Sequence, residues 1–94
     1  MMADLVNQIG GLELDVESDY IRDRINAVIK MDNKALGIDI DTDLLSSSGV
    51  QTLNGKQVQA FARWRTGSSD FERTQRQRNV LTSLVNKFKN SNIG

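Results

Sequence analysis

The longest regular hydrophobic pattern in this chain lies near its C-terminus, over residues 69–90. Ser69 and Glu72 are spaced as in a capping box, where each side chain accepts a hydrogen bond from the other residue's backbone N–H at a helix start. Beyond them, apolar and neutral residues recur on one face of a helix with about 100° per residue. We therefore predict an amphipathic helix about 30 Å long, against which the rest of a small domain packs. The residues of this face are Thr74, Gln77, Leu81, Leu84, Val85 and Phe88, with Phe71 and Val80 at its edges.

Three further segments in the N-terminal half have regular patterns. Residues 3–9 predict a short helix, and residues 12–17 alternate apolar and acidic side chains, as in a half-buried strand. Ser18 is suited to the N-cap of a second helix with one apolar face. We expect that helix to end near Met31, because Asp32 would otherwise fall within its apolar stripe.

Asp32 allows two interpretations. In the first, Asp32 begins the turn after the helix, since aspartate favours local bonding to the backbone. In the second, the helix continues and Asp32 is a buried carboxylate paired with an arginine such as Arg65.

The remaining elements predict an α+β fold that is rich in helix. Residues 38–44 alternate as a second strand, residues 50–53 suit a short returning strand, and Asn54 can cap a helix over residues 55–66. The sheet therefore has two or three strands, with parallel and antiparallel pairing both open. The long C-terminal helix is expected to pack on this sheet.

Asp39, Asp41 and Asp43 resemble the start of an EF-hand calcium loop. The resemblance ends there, because Leu44 and Val50 occupy the positions of the required glycine and glutamate. On a strand, the three carboxylates would share the solvent face, so we expect no metal site.

Composition excludes several classes of protein. The 94 residues form one domain over residues 1–94, with 38% hydrophobic and 26% charged residues, as in ordinary globular proteins. No apolar run is long enough to cross a bilayer, and the N-terminus does not resemble a signal peptide. We therefore expect a protein that is not secreted by a signal peptide, that does not contact a membrane, and that lies in the cytoplasm or within an assembled particle.

The chain offers few groups for catalysis. It contains no cysteine and no histidine, which excludes thiolate nucleophiles and zinc-thiolate sites and removes the most common general acid-base. Neither a phosphate-binding glycine loop nor a nucleophile elbow is present. We therefore expect no catalytic residue, no cofactor and no metal ion, and predict a protein that is not an enzyme.

Charge is distributed unevenly between the two halves. Residues 1–45 contain ten acidic and four basic residues, a net charge of −6, and residues 46–94 contain two acidic and eight basic residues, a net charge of +6. The halves could fold against each other, copies could meet head to tail, or each half could face a different partner.

Arginines and the single tryptophan cluster in the C-terminal half. Tryptophan and arginine are enriched at the energetic centres of protein interfaces, and basic residues interleaved with an aromatic residue also suit nucleic acids. We expect a small non-catalytic assembly or adaptor protein of a larger prokaryotic or bacteriophage structure, such as a virion component, acting through a protein partner or as a homo-oligomer. The alternative is an accessory protein that binds nucleic acid. The predicted partner-binding residues are Arg63, Trp64, Arg65, Arg73, Arg76 and Arg78.

Overall fold

The computed structural model describes residues 2–64 and 69–91, and these residues form an α+β fold rich in helix, which confirms the predicted class. Within this part of the chain, a two-stranded sheet is packed among four helices. The elements in chain order are α1 (Met2–Gln8), β1 (Leu12–Val16), α2 (Asp19–Leu36), β2 (Gly49–Leu53), α3 (Gly55–Arg63) and α4 (Asp70–Ser91).

The sheet consists of β1 and β2 in antiparallel pairing. Leu12 lies opposite Leu53, and Val16 lies opposite Gly49. Leu12, Leu14 and Val16 are buried and the residues between them are exposed, as the alternation in the sequence predicted. The interpretation in which the strands pair in parallel is therefore wrong.

The strand predicted over residues 38–44 is also wrong, because this segment forms turns. The cause lies in α2, where Asn33 is fully buried. Its Nδ2 donates to the carbonyl oxygens of Ile40 at 2.9 Å and Thr42 at 2.8 Å. Its Oδ1 accepts a hydrogen bond from Nζ of Lys56. These bonds hold the backbone in a curved path and use two carbonyl groups that a strand would offer to its neighbour.

The helix α2 begins where the sequence predicted and ends later. Ser18 is its N-cap, and Oγ of Ser18 accepts a hydrogen bond from the backbone N–H of Ile21 at 3.2 Å. The helix continues past Met31 to Leu36 and is closed by Gly37, whose φ of 74° lies in the left-handed region that glycine adopts without strain. The predicted end at Met31 is therefore wrong.

Asp32 lies within α2 and does not begin a turn. Its carboxylate accepts a hydrogen bond from Nη2 of Arg63 at 2.8 Å, and its side chain is 29% exposed. The second interpretation of Asp32 was therefore right about an arginine partner, but the carboxylate is only partly buried. Arg65, the partner suggested there, lies outside the described residues.

The helix α3 is held at both ends. Asn54 and Gln57 form a capping box at its start, and the backbone N–H of Trp64 donates to the carbonyl oxygen of Ala60 at its end. The expected extension to residue 66 falls partly outside the described residues.

Gly55 lies so close to α1 that a Cβ atom there would come within 2.1 Å of the carbonyl oxygen of Ala3. Only glycine permits this approach.

The helix α4 begins with the predicted capping box and buries a different face from the predicted one. The backbone N–H of Ser69 donates to Oε1 of Glu72 at 2.9 Å, and the backbone N–H of Glu72 donates to Oγ of Ser69 at 3.1 Å. Val80 is 2% exposed and Arg76 is 8% exposed, whereas Leu81 is 59% exposed. The buried face is rotated by roughly 120° from the centre of the predicted stripe. The expectation that the long C-terminal helix packs on the sheet is confirmed by the contacts of α4 with β1. The helix does so through Val80 and Arg76, and Leu84 is the member of the predicted stripe that packs against the core.

The core lies between the sheet and the helices, and α4 contacts both β1 and α3. Trp64 belongs to the core, and Leu84 packs against its edge. The buried apolar residues are Val6, Leu12, Leu14, Val16, Ile25, Ile29, Leu45, Leu53, Val58, Ala60, Phe61, Trp64 and Val80.

Within residues 2–64 and 69–91, ion pairs join the acidic half of the sequence to the basic half. Asp32 pairs with Arg63 at 2.8 Å, and Asp43 pairs with Lys56 at 3.5 Å. Both pairs lie within one molecule, which supports the interpretation in which the two halves fold against each other.

Replacing Asn33 with leucine should destabilise the protein. The substitution would leave the carbonyl groups of Ile40 and Thr42, whose bonds to Asn33 are partly buried, without their donor, at a cost of about 1–3 kcal/mol for the two groups. Chemical denaturation would measure the free energy of unfolding. Asn86→Leu, at an exposed position of α4, is the matched control and should change stability by less than about 0.5 kcal/mol. An Asn33→Leu protein as stable as the parent would contradict the assigned role.

Glu72 should titrate below its ordinary pKa. The hydrogen bond from the backbone of Ser69 is the main cause that lowers the pKa of Glu72 from 4.5, and the Ser69 side chain and the charge of Arg76 act in the same direction. Because the pKa is lower in the folded chain, the stability that this carboxylate contributes is present above its unfolded pKa and lost as pH falls through its folded pKa. Carbon-detected NMR titration of the Glu72 carboxyl would measure this, and Ser69→Ala should raise the midpoint. A midpoint at or above 4.5 in the parent protein would refute the capping geometry.

Candidate functional site

Arg76 connects the end of α3 to α4. Its Nε donates to the carbonyl oxygen of Phe61 at 3.0 Å, and its Nη2 donates to that of Trp64 at 2.9 Å. Its guanidinium group lies over the Trp64 ring, 3.9 Å from the ring centroid. Carbonyl oxygens at the end of a helix carry partial negative charge, and an aromatic face attracts a cation, so this environment stabilises a buried arginine.

A second arginine lies beside the first. Burial lowers the pKa of Arg76, the nearby charge of Glu72 raises it, and the positive charge of Arg73 lowers it. Arg73 is one turn before Arg76 on α4, and its side chain is 26% exposed. Its ion pair with Asp70 is long, at 3.7 Å, and the Asp70 side chain is 97% exposed. Such an exposed pair contributes little, so Asp70 neutralises the charge of Arg73 only in part.

Arg76 also lines an open cleft between β1 and α4. The cleft has a volume of about 620 Å³. Glu13 and Asp15 on β1 form one wall, and Ser83 and Lys87 on α4 form the other. Oγ of Ser83 donates to the carbonyl oxygen of Glu13 at 2.8 Å, which fixes the distance between the walls. A cleft of this size and polarity can accept a charged small molecule or part of a larger ligand.

A second open cleft, of about 680 Å³, lies where α1, α2 and α3 meet. Its charged residues are Asp32, Asp43, Lys56 and Arg63. They form the two ion pairs that join the halves of the chain, so the cations here already have carboxylate partners.

Metal binding has no support in the described part of the chain. Across residues 2–64 and 69–91, no three acidic side chains converge closely enough to hold an ion. Asp39, Asp41 and Asp43 lie in the turns after α2, where Oδ1 of Asp39 accepts a hydrogen bond from the backbone N–H of Asp41.

The predicted partner-binding residues are divided among three surfaces. Trp64, Arg73 and Arg76 meet at the junction of α3 and α4, whereas Arg63 faces α2. Arg78 is exposed and lies about 160° around α4 from Arg76. Arg65 lies outside the described residues. Their role in binding a partner stays a prediction.

Sequence reasoning did not place Lys87 or the acidic residues of β1 in one cleft. Lys87 borders the predicted apolar stripe, which was expected to be buried. The true orientation of α4 depends on contacts of Arg76 and Ser83 with distant backbone groups. The spacing of residues within one helix carries no information about such contacts.

The chain resembles proteins of known activity and structure. The model of the LytR_cpsA_psr family matches residues 1–93. The polyisoprenyl-teichoic acid–peptidoglycan teichoic acid transferase TagT of Bacillus subtilis (strain 168) is 33% identical over 86 residues, which cover 92% of this chain and 23% of TagT. The chain therefore spans about a quarter of the length of this relative.

Solved structures agree with this relationship. A structure of TagT bound to LI-WTA superposes with a TM-score of 0.71 at 32% identity, covering 99% of this chain and 32% of the TagT chain. A structure of the LytR-CPS2A-psr family protein YwtF (TagT) with bound octaprenyl pyrophosphate lipid gives a TM-score of 0.67 at 31% identity, covering 94% of this chain and 30% of the other. The ligands named in these two structures are a lipid pyrophosphate and LI-WTA.

Among the helices of residues 2–64 and 69–91, none combines the length and the apolar character needed to cross a bilayer.

These relationships overturn the function expected from the sequence. The expectation of a non-catalytic assembly protein in a bacteriophage or other prokaryotic structure is wrong, because relatives that match this chain are named as teichoic acid transferases. The expectation that the chain is not an enzyme is wrong for the same reason. With residues 1–93 matched by the family model, the chain belongs to the LytR-CpsA-Psr family.

Proposed function

We propose that this chain is the part of a LytR-CpsA-Psr transferase that holds the pyrophosphate of a polyisoprenyl-linked cell wall polymer. The group that would hold it is the pair Arg73 and Arg76 at the start of α4. The pyrophosphate-bearing lipid in a solved relative supports this class of ligand, and the transferase name of TagT supports the class of reaction.

The observation that carries the proposal is that Arg73 and Arg76 lie one turn apart on α4, with Arg76 held in place by carbonyl groups of α3 and Trp64. Burial lowers the pKa of Arg76 most, the nearby charge of Glu72 raises it, and the positive charge of Arg73 lowers it, so the two positive charges repel each other. A bound anion would relieve this repulsion. Arg76 is anchored by Phe61 and Trp64, so its charge stays in place without ligand, and little conformational entropy would be lost on binding.

Arginine suits a pyrophosphate for geometric reasons. The planar guanidinium group can donate two parallel N–H bonds to two oxygens of one phosphate, and these charge-assisted bonds are stronger than neutral ones. Arg73 is the more exposed of the two, with its side chain 26% exposed, and is therefore the better candidate for direct contact with the ligand. Arg76 would act mainly by its fixed positive charge.

The same positive charges would favour transfer. If an acceptor hydroxyl attacks the phosphorus that carries the polymer, the P–O–P bond breaks, the polymer and its phosphate join the acceptor, and the hydroxyl proton passes to solvent. Negative charge then accumulates on the phosphate that remains on the lipid. Fixed cations stabilise such developing charge. Catalysis of this kind depends on where these cations are placed relative to the phosphate more than on a residue that acts as a general acid or base. The absence of histidine and cysteine is therefore compatible with this activity.

A protein that transfers a polymer to peptidoglycan must reach the cell wall. Cell fractionation therefore distinguishes the two interpretations. The proposed function predicts that the protein is found with the cell wall, whereas the sequence predicts the cytoplasm or an assembled particle.

Replacing Arg73 with glutamine should weaken the binding of octaprenyl pyrophosphate. The substitution removes one charge-assisted contact, and we expect affinity to fall about 10- to 100-fold, corresponding to about 1.5–3 kcal/mol. Titration of the chain with octaprenyl pyrophosphate in detergent micelles would measure the dissociation constant. Arg78→Gln is the matched control because it removes the same charge from the far side of α4, and it should change affinity less than about twofold.

Two results would contradict this proposal. The first is an equal loss of affinity in both variants, which would indicate a general effect of net charge. The second is unchanged affinity in the Arg73→Gln variant. Circular dichroism of both variants would show whether α4 is intact, since Arg73 and Arg78 both lie on that helix.

A further inference from the structure

The helix α4 has an apolar face that the described residues do not cover. We call Phe71, Leu81 and Val85 the outer face of α4. Phe71 is 77% exposed, Leu81 is 59% exposed and Val85 is 49% exposed. Single exposed apolar residues are common on protein surfaces. Three on one side of a helix, spread over about 21 Å, form a stripe of the kind that helices bury.

The outer face lies almost opposite the face that packs within the chain. Arg76 and Val80 point toward α3 and β1, and Leu81 and Val85 lie roughly 140° away around the helix. A helix with apolar or anchored residues on two sides is typical of the interior of a domain. The helix α4 therefore has the composition of an element with neighbours on both sides.

The solved relatives contain further polypeptide that could supply the second neighbour. This chain superposes over 94% of its length with TM-score 0.67 on one TagT structure, and over 99% with TM-score 0.71 on another. It covers only 30% and 32% of those chains. In a protein about three times as large, the same helix has far more polypeptide available to cover it.

We propose that the outer face of α4 docks onto the remaining part of a LytR-CpsA-Psr domain, either joined to this chain or supplied by a second polypeptide. The partner surface would be apolar opposite Leu81 and Val85. Arg78 lies on the same side of α4, between Phe71 and Leu81, so the partner would carry a carboxylate or a carbonyl group opposite Arg78. This inference rests on the family relationship and is independent of the proposed binding of pyrophosphate.

The test compares one substitution in two contexts. In the first context, the chain replaces the matching segment of Bacillus subtilis TagT, and in the second, the 94-residue chain is studied alone. Leu81→Asp should lower the melting temperature of the hybrid by about 10 °C or more, because it places a charge in a buried apolar interface. In the chain alone, where Leu81 is 59% exposed, the same substitution should shift the melting temperature by less than about 3 °C.

Asn86→Asp is the matched control, since Asn86 is exposed on a neighbouring side of α4 and the added charge is the same. It should have little effect in either context. If Leu81→Asp prevents the hybrid from folding, the milder Leu81→Ala should still show a measurable loss that is confined to the hybrid.

Several outcomes would overturn the proposal. Equal losses in both contexts would mean that the outer face packs within the chain, and no loss in either would mean that it stays in solvent. A dimer of the chain alone in sedimentation, abolished by Leu81→Asp, would identify a second copy as the occupant. A hybrid that fails to fold without any substitution would show that the face does not fit the rest of the domain.

Discussion

The buried guanidinium group of Arg76 determines how the C-terminal third of this chain is arranged. Its bonds to the carbonyl oxygens of Phe61 and Trp64 tie α4 to the last turn of α3. An arginine that is 8% exposed loses most of its hydration, and this loss must be offset by such acceptors and by the aromatic ring beneath it. Because Arg76 has to face α3, Val80 one turn later has to face the core, and the stripe of Leu81 and Val85 is turned away.

Local signals in the sequence were reliable because their causes are local. Ser18 and Asn54 begin helices as predicted, and Ser69 begins α4 in a capping box with Glu72. Each signal depends on residues three positions apart, whose geometry the chain itself fixes. The alternation that predicts β1 is equally local, and its buried and exposed residues follow it.

The failures have distant causes. The segment 38–44 alternates as a strand should, but a fully buried asparagine in α2 uses two of its carbonyl groups. The stripe on α4 was expected to face the core because apolar residues usually do, yet an arginine was buried in its place. In the site itself, Trp64 lies in the core, and the position of Arg76 beside a cleft between β1 and α4 depends on packing across the whole fold. The error about function had a chemical cause, because the absence of histidine and cysteine argues against proton transfer and thiolate chemistry and leaves electrostatic catalysis by arginines open.

Arg73 and Arg76 lie on the same helix as the apolar outer face, so contacts made by the outer face affect the position of the two arginines. Phe71 and Arg73 are two residues apart, so they lie on opposite sides of the first turn of α4 and move together. The capping box fixes the start of this turn from one end, and Arg76 fixes it from the other. Neither contact restrains the helix from outside, where Phe71 is 77% exposed. A partner packed on that side would hold the arginines at a constant distance from β1, and precise placement of charge is what an electrostatic site requires.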